Sequence, residues 1–336
     1  MPRCAPSSRR PDSLSARRMS LDRPAVVIVG GGAMGGLFGG LLAEGGLKIT
    51  LIDVWQAHVD AIKAGGLRIV GHGGDRSIAL DATSDPVGVR AADVVLFQCK
   101  AFANETAAAG VKHLIAGGAV AVSFQNGIGN EETLARVLGA QHVLGGLTAQ
   151  AGLVEAPGVV RNFGSLPTFV GELGGGLSSR ATALAGAFTR HGLPTEASAD
   201  IKRDKWKKLL GNVGLGAISA ATDLRSVDIM AVPELRQTVF RAVDEAAAVA
   251  GACGVRLDVD EAREVLMKLA DPTAGTGTSK SSMRADIANR RPTEIDYIHG
   301  AVARLGRERG VPTPTIDVMV AIVKGLESLY RPAGPG

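Results

Sequence analysis

Short apolar runs rich in β-branched residues alternate with stretches of helical spacing through the first 200 residues; beyond that point only the helical spacing continues. Runs at 25–29, 48–53, 67–70, 78–80, 94–98, 120–124, 143–145, 159–161 and 168–171 read as strands, the most continuous of them as buried parallel strands. Helical spacing falls at 37–44, 57–64, 105–115 and 131–138, and Gly45-Gly46 supplies a stop. Strand, helix and strand within about 30 residues make a βαβ unit. After residue 200 helices are expected at 201–220, 233–252, 258–269, 293–309 and 315–329. The last carries Ile316, Met319, Val320, Val323 and Leu326 on one stripe behind Thr315 as N-cap. The pattern predicts an α/β, Rossmann-type doubly wound N-terminal domain over 25–197 and an all-α C-terminal domain over 198–330. A polar segment without periodicity, 271–282, separates the third and fourth of these helices, and loops of that length are often functional.

Charge changes the picture only at the N-terminus. Residues 1–24 hold six arginines against Asp12 and Asp22, and the remainder of the chain holds 31 basic and 31 acidic residues. The high isoelectric point therefore belongs to a tail, read as a disordered basic extension or an upstream start with Met19 as the natural one, a targeting segment being the alternative. A nucleic-acid partner is not indicated. Three widely spaced cysteines suit a reducing, cytoplasmic setting. No uncharged apolar run reaches the length of a membrane span. The six histidines form no metal-binding pair, so no metal is expected.

The chemistry begins with Gly30-Gly31-Gly32-Ala33-Met34-Gly35, a G-x-G-x-x-G between a strand and a helix. Gly30 permits a tight turn, Gly32 lets a pyrophosphate approach the backbone, and Gly35 allows close packing of helix on strand. Ala33 and Met34 open the helix whose N–H groups face the anion. Asp53 ends the second strand 23 positions after Gly30, where a carboxylate accepts from ribose hydroxyls and repels a 2′-phosphate. No lysine or arginine follows it closely, so residue chemistry favours NAD(H). Asn126 follows the strand at 120–124, where ligands of doubly wound sheets bind, so it is expected to face the nicotinamide; an Asn-Gly turn without ligand is the alternative. Lys208 and Asn212 share a helix face, and a lysine at an apolar edge is either solvated or a desolvated acid. Thr293 with Asp296 fits a helix-start signal that puts Glu294 in the first turn, where the helix dipole alone accounts for a carboxylate.

Taken together, these segments resemble the ketopantoate reductase family, the 2-dehydropantoate 2-reductases, from about residue 26 to 329. The resemblance is carried by W-x-K-L-x-x-N at Trp206 to Asn212 and by S-S-M-x-x-D and R-x-T-E-I-D-Y between Ser281 and Tyr297. Gln125-Asn126-Gly127 and Cys99-Lys100-Ala101 fit as well. The resemblance implies Lys208 as general acid and Glu294 as the second catalytic residue. It implies Asn126, Asn212 and Ser282 as substrate ligands, and Lys100 at the junction of cofactor and substrate. It further implies NADP(H) as cofactor, reduction of ketopantoate to pantoate in pantothenate biosynthesis, and a small 2-keto acid as the partner molecule; a homodimer is the ordinary expectation for such enzymes. The chain departs from the family pattern at Gly216, where a second asparagine is common, and at Val54, often arginine. An asparagine often present in the loop before Ser281 is also missing. Two alternatives stay open: an NAD-linked D-2-hydroxy-acid dehydrogenase of the same family, and a non-catalytic nucleotide sensor.

Overall fold

The computed structural model describes residues 21–269, 271 and 281–330. The expected basic tail up to residue 20, including Met19, and most of the polar 271–282 segment lie outside the described residues. Leu21, counted with the tail from its sequence, is buried in the core of the sheet.

The first half runs β1 (Val26–Val29), α1 (Ala33–Glu44), β2 (Ile49–Ile52), α2 (Gln56–Gly65), β3 (Leu67–Gly71), β4 (Arg76–Ile78), β5 (Asp81–Thr83) and β6 (Val94–Phe97). It continues with α3 (Asn104–Ala116), β7 (Val120–Ser123), α4 (Asn130–Leu138), β8 (Val143–Thr148), β9 (Gly152–Ala156), β10 (Val159–Asn162), β11 (Thr168–Glu172), α5 (Ser179–Arg190) and β12 (Thr195–Ser198). Eight strands form one sheet in the order β12-β11-β8-β7-β6-β1-β2-β5. Neighbours from β8 to β5 are parallel, and β11 turns antiparallel on β8. All four residues of β1, β6 and β7 are buried, because helices cover both faces. The strand order reverses at β1, so the crevice at its carboxyl end, beside β6 and β7, is where such sheets take ligands.

The linear pattern did not separate β4, β3, β10 and β9, which form a second, four-stranded sheet. The single strand expected at 78–80 is two shorter ones, because β4 pairs with β3 and β5 with β2. Helix α5 and strands β9 and β12 had not been expected.

The second half is helical: α6 (Ile201–Thr222), α7 (Ser226–Ala231), α8 (Pro233–Ala252), α9 (Val259–Leu269), α10 (Ser282–Ala288), α11 (His299–Arg309) and α12 (Pro314–Ser328). Helix α6, about 33 Å long at 1.5 Å per residue, is its axis and packs against α8, α10 and α12. Trp206, Leu209, Leu210 and Val213 fill its core face, and Gly214 lets Val239 of α8 come close. The N-terminal end of α6 lies on the sheet. Ile201 is fully buried against Gly145 of β8 and Gly171 of β11, where a Cβ would stand 3.0–3.2 Å from its side chain.

Two helix starts differ from expectation. Helix α12 begins at Pro314, with Thr313 rather than Thr315 before it. The helix expected from residue 293 begins at His299, and 294–298 is a turn. Thr293 Oγ1 accepts from Ile295 N, two residues on, in place of a capping box. Among the described residues no helix is long and apolar enough to cross a membrane.

Candidate active site

The glycine turn has the shape its spacing predicts. Gly30 adopts φ +98°, and a Cβ there would stand 2.4 Å from Cys99 N; a Cβ on Gly35 would stand 1.8 Å from Gly30 O. These two glycines serve packing. At Gly32 a Cβ meets nothing within 4 Å, and no side chain caps the N-terminus of α1. Open space thus faces uncapped N–H groups at a helix start, with Ala33 and Met34 in the first turn.

His58 braces this turn from behind. It is fully buried, Gly158 N donates to its Nδ1 at 3.0 Å, and Gly31 O lies 3.0 Å from its Nε2. Since Nδ1 accepts, Nε2 carries the hydrogen and donates to Gly31. Asp53 follows β2 with its Cβ near Gly31, and its Oδ1 accepts from Trp55 N at 2.8 Å. Val54 is almost wholly exposed, and the Trp55 ring stacks on His58.

Two clusters of candidate chemistry flank the β7 end. In the first, Lys208 Nζ donates to Asn126 Oδ1 at 2.8 Å. Both line a cleft with Gln125, Leu147, Lys205 and Asn212. Burial, and then the charge of Lys205, lower the Lys208 ammonium to a pKa of about 8. A polar chain fixes Asn126: Asn130 donates to the Asn126 carbonyl, Asn104 to Asn130, and Gln125 to Asn104.

In the second, Lys100 follows β6 and pairs with Asp286 of α10 at 2.6 Å and with Glu294 at 3.3 Å. The other Glu294 oxygen accepts from Ala101 N at 3.0 Å. Burial opposes the charged form of Lys100, but Glu294 and Asp286 together outweigh it and the net shift is upward. The clusters meet through backbone: Ile128 N donates to Tyr297 O, and a Cβ on Gly127 would stand 2.2 Å from that oxygen.

Lys208, Asn126 and Asn212 are therefore brought together, as are Lys100 and Glu294. Glu294 engages Lys100 and Ala101. Ser282 opens α10 exposed to solvent, while its neighbour Ser281 caps that helix and donates to Gly216 O of α6 at 3.3 Å. Lys205, Glu131, Asp286, Asn104, Asn130 and His58 were not singled out from the sequence as site residues. Each is polar and buried, a property that appears only once the distant partner is in place.

Two family models cover nearly all of the described chain: Ketopantoate reductase PanE/ApbA matches residues 26–175, and Ketopantoate reductase PanE/ApbA C terminal matches residues 200–327. A 2-dehydropantoate 2-reductase of Halobacterium salinarum is 33% identical over 303 residues, covering 89% of this chain and 97% of that protein. One from Lactococcus lactis is 31% identical over 309 residues, covering 91% and 99%. Among solved structures, a ternary complex of D-mandelate dehydrogenase with NADH and anilino(oxo)acetate superposes with TM-score 0.87 at 30% identity, covering 91% of this chain and 99% of that one. A PanE/ApbA family ketopantoate reductase from Ralstonia eutropha gives TM-score 0.84 at 32% identity, again covering 91% and 99%.

Proposed function

The chain belongs to the ketopantoate reductase family, and from that membership we propose that it is an NAD(P)H-dependent oxidoreductase that reduces a small 2-keto acid, 2-dehydropantoate to pantoate first of all. The observation that carries this reading is the Lys208–Asn126 contact, a part-buried ammonium held in a cleft at the carboxyl end of the sheet.

The residues present fit a nicotinamide dinucleotide. Gly30 and Gly35 shape the turn, Gly32, Ala33 and Met34 offer space and N–H donors to the pyrophosphate, and Asp53, beside Gly31, would accept from the ribose. Lys100 and Asn126 stand at the ends of β6 and β7, toward the reacting end. When bound, the reduced nicotinamide supplies a hydride to the carbonyl carbon of the substrate. Lys208 donates the matching proton to the carbonyl oxygen; its ammonium stabilises the negative charge building there before the transfer. Asn126 orients the ammonium, and Asn212, one turn along α6, presents its amide to the substrate. Glu294, fixed by Lys100 and the Ala101 amide, is assigned the substrate hydroxyl, and Ser282 the carboxylate. We assign 25–197 as the dinucleotide-binding domain and 198–330 as the catalytic helical domain.

Asp53 supports NADH as the preferred cofactor, since a carboxylate repels a 2′-phosphate and the next residue is the exposed Val54. That feature, with the D-mandelate dehydrogenase likeness, supports a second reading: an NAD-linked D-2-hydroxy-acid dehydrogenase. Steady-state kinetics with both cofactors against 2-dehydropantoate, phenylglyoxylate and branched 2-keto acids separates the two. Cofactor binding without turnover on any keto acid would leave a nucleotide sensor and overturn both.

A further inference from the structure

The chemistry proposed above leaves one ion pair beside Lys208 unused. Lys205, three residues earlier on α6, is 6% exposed, and its ammonium pairs with the Glu131 carboxylate, 5% exposed, in the first turn of α4. Burying such a pair usually costs about as much as its attraction returns, so stability alone does not explain it. Both lysines line the same cleft. Helix α4 begins four residues after Asn126, and Asn130 at its start holds the Asn126 carbonyl at 2.9 Å. One short stretch, Asn126 to Glu131, thus carries the hydrogen-bond acceptor of Lys208 and the counter-ion of Lys205.

We propose that Lys205 and Glu131 are positioning residues for Lys208: the pair locks α6 in register against α4 and sets the electric field in which the Lys208 ammonium gives up its proton. This inference rests on Lys208 being the general acid. Among the described residues, the other charges on the neighbouring elements are paired or lie at the surface. On α6, Asp204 accepts from Ser198, and Lys207 pairs with Glu261 at the surface. On α4, Glu132 is exposed; from the β6 end and the 294–298 turn, Lys100 and Glu294 hold each other, with Asp286 of α10. Gln125 and Asn126 from the β7 end and Leu147 from β8 carry no charge. Among the described residues, Lys205 is the cation that lowers Lys208, and Glu131 is the carboxylate paired with it.

The signs follow from charge alone. Loss of the Glu131 charge leaves Lys205 uncompensated, so Lys208 deprotonates more easily. Loss of the Lys205 charge leaves a buried carboxylate nearby, so Lys208 holds its proton longer.

The test is the pH profile of kcat/KM for keto-acid reduction, with the best substrate from the kinetic panel. The alkaline limb of the profile is expected about one pH unit lower in Glu131→Gln and about one pH unit higher in Lys205→Met. Glu131→Asp and Lys205→Arg, which keep the charges, should stay near the parent profile. Coincident limbs in all variants, or shifts of the same sign in Glu131→Gln and Lys205→Met, would overturn the inference. Should Lys205→Met fail to fold, Glu131→Gln against Glu131→Asp decides alone, an unmoved limb counting against it. Full turnover in Lys208→Ala would instead remove the general-acid reading itself, whatever the limbs do.

Discussion

Lys208 and Asn126, 82 positions apart in sequence, are joined by a 2.8 Å hydrogen bond from the longest helix to the end of a central strand. Replacing Lys208 by Ala removes the proposed proton donor while leaving the glycine turn untouched. Turnover is expected to fall about 10²–10⁴-fold with dinucleotide affinity nearly unchanged. Stopped-flow turnover beside fluorescence titration of NADH checks this, and equal loss of both would make Lys208 a structural residue.

The pH dependence has opposite signs in the two directions. With Lys208 at about 8, lowered by burial and by Lys205, and with Lys208 as the proposed acid, ketone reduction should decline as pH rises through about 8. Oxidation of the hydroxy acid needs the neutral amine and should rise through the same interval. Initial rates from pH 6 to 10 in both directions test the pairing; limbs of the same sign would refute it.

Asp53→Ala removes the charge proposed to discriminate against a 2′-phosphate. The ratio of kcat/KM for NADH over NADPH should fall about tenfold or more, equivalent to about 1.4 kcal/mol. An unchanged ratio would take Asp53 out of the ribose site.

Gly32 and Gly35 separate binding from folding. A Cβ on Gly35 would overlap Gly30 O, so Gly35→Ala should lower stability by about 1–3 kcal/mol or more. A Cβ on Gly32 meets no protein atom within 4 Å, so Gly32→Ala should cost under about 1 kcal/mol yet weaken dinucleotide binding about tenfold. Urea denaturation and cofactor titration on both variants check the contrast. Comparable destabilisation in the two would mean that Gly32 also serves packing.

His299 gives the fold an acid-sensitive group. It is fully buried, its Nε2 donates to Val213 O at 2.9 Å, and burial lowers it to about 4 from 6.5. The neutral ring stabilises the fold fully above pH 6.5. That contribution is lost as pH falls from there toward 4, because the unfolded chain takes up a proton first. Between pH 7 and 5 the loss is about 2 kcal/mol. His299→Gln, which keeps a donor for Val213, should flatten the dependence of unfolding free energy on pH in that window. An unaltered slope would place the sensitivity elsewhere.

What the sequence revealed was mostly local. The βαβ start, the glycine turn and Asp53 were readable because strand runs, turn glycines and a strand-end acid lie within about 30 residues. The shared face of Lys208 and Asn212 follows from helical spacing, and both line the cleft. The ion pair of Lys100 with Asp286, 186 positions away, has no such signature. Lys205 and Lys207 have the same residue type and differ only in what lies opposite: a buried carboxylate on α4 or a surface one on α9. Thr293 and Asp296 misplaced a helix start for a tertiary reason. Tyr297 O is taken by Ile128 N from the other half of the chain, and the helix begins only after that contact.

Ile201 resting on Gly145 and Gly171 has a consequence for how the protein can diversify. At those two glycines α6 seats on main chain, with no intervening side chain to swap rotamers or be exchanged for a larger one. The reach from the root of α6 to Lys208 is thereby held by the rigid sheet, as by a jig. Residues that wall the cleft can then be rewritten for a new acid while the proposed proton donor stays on station.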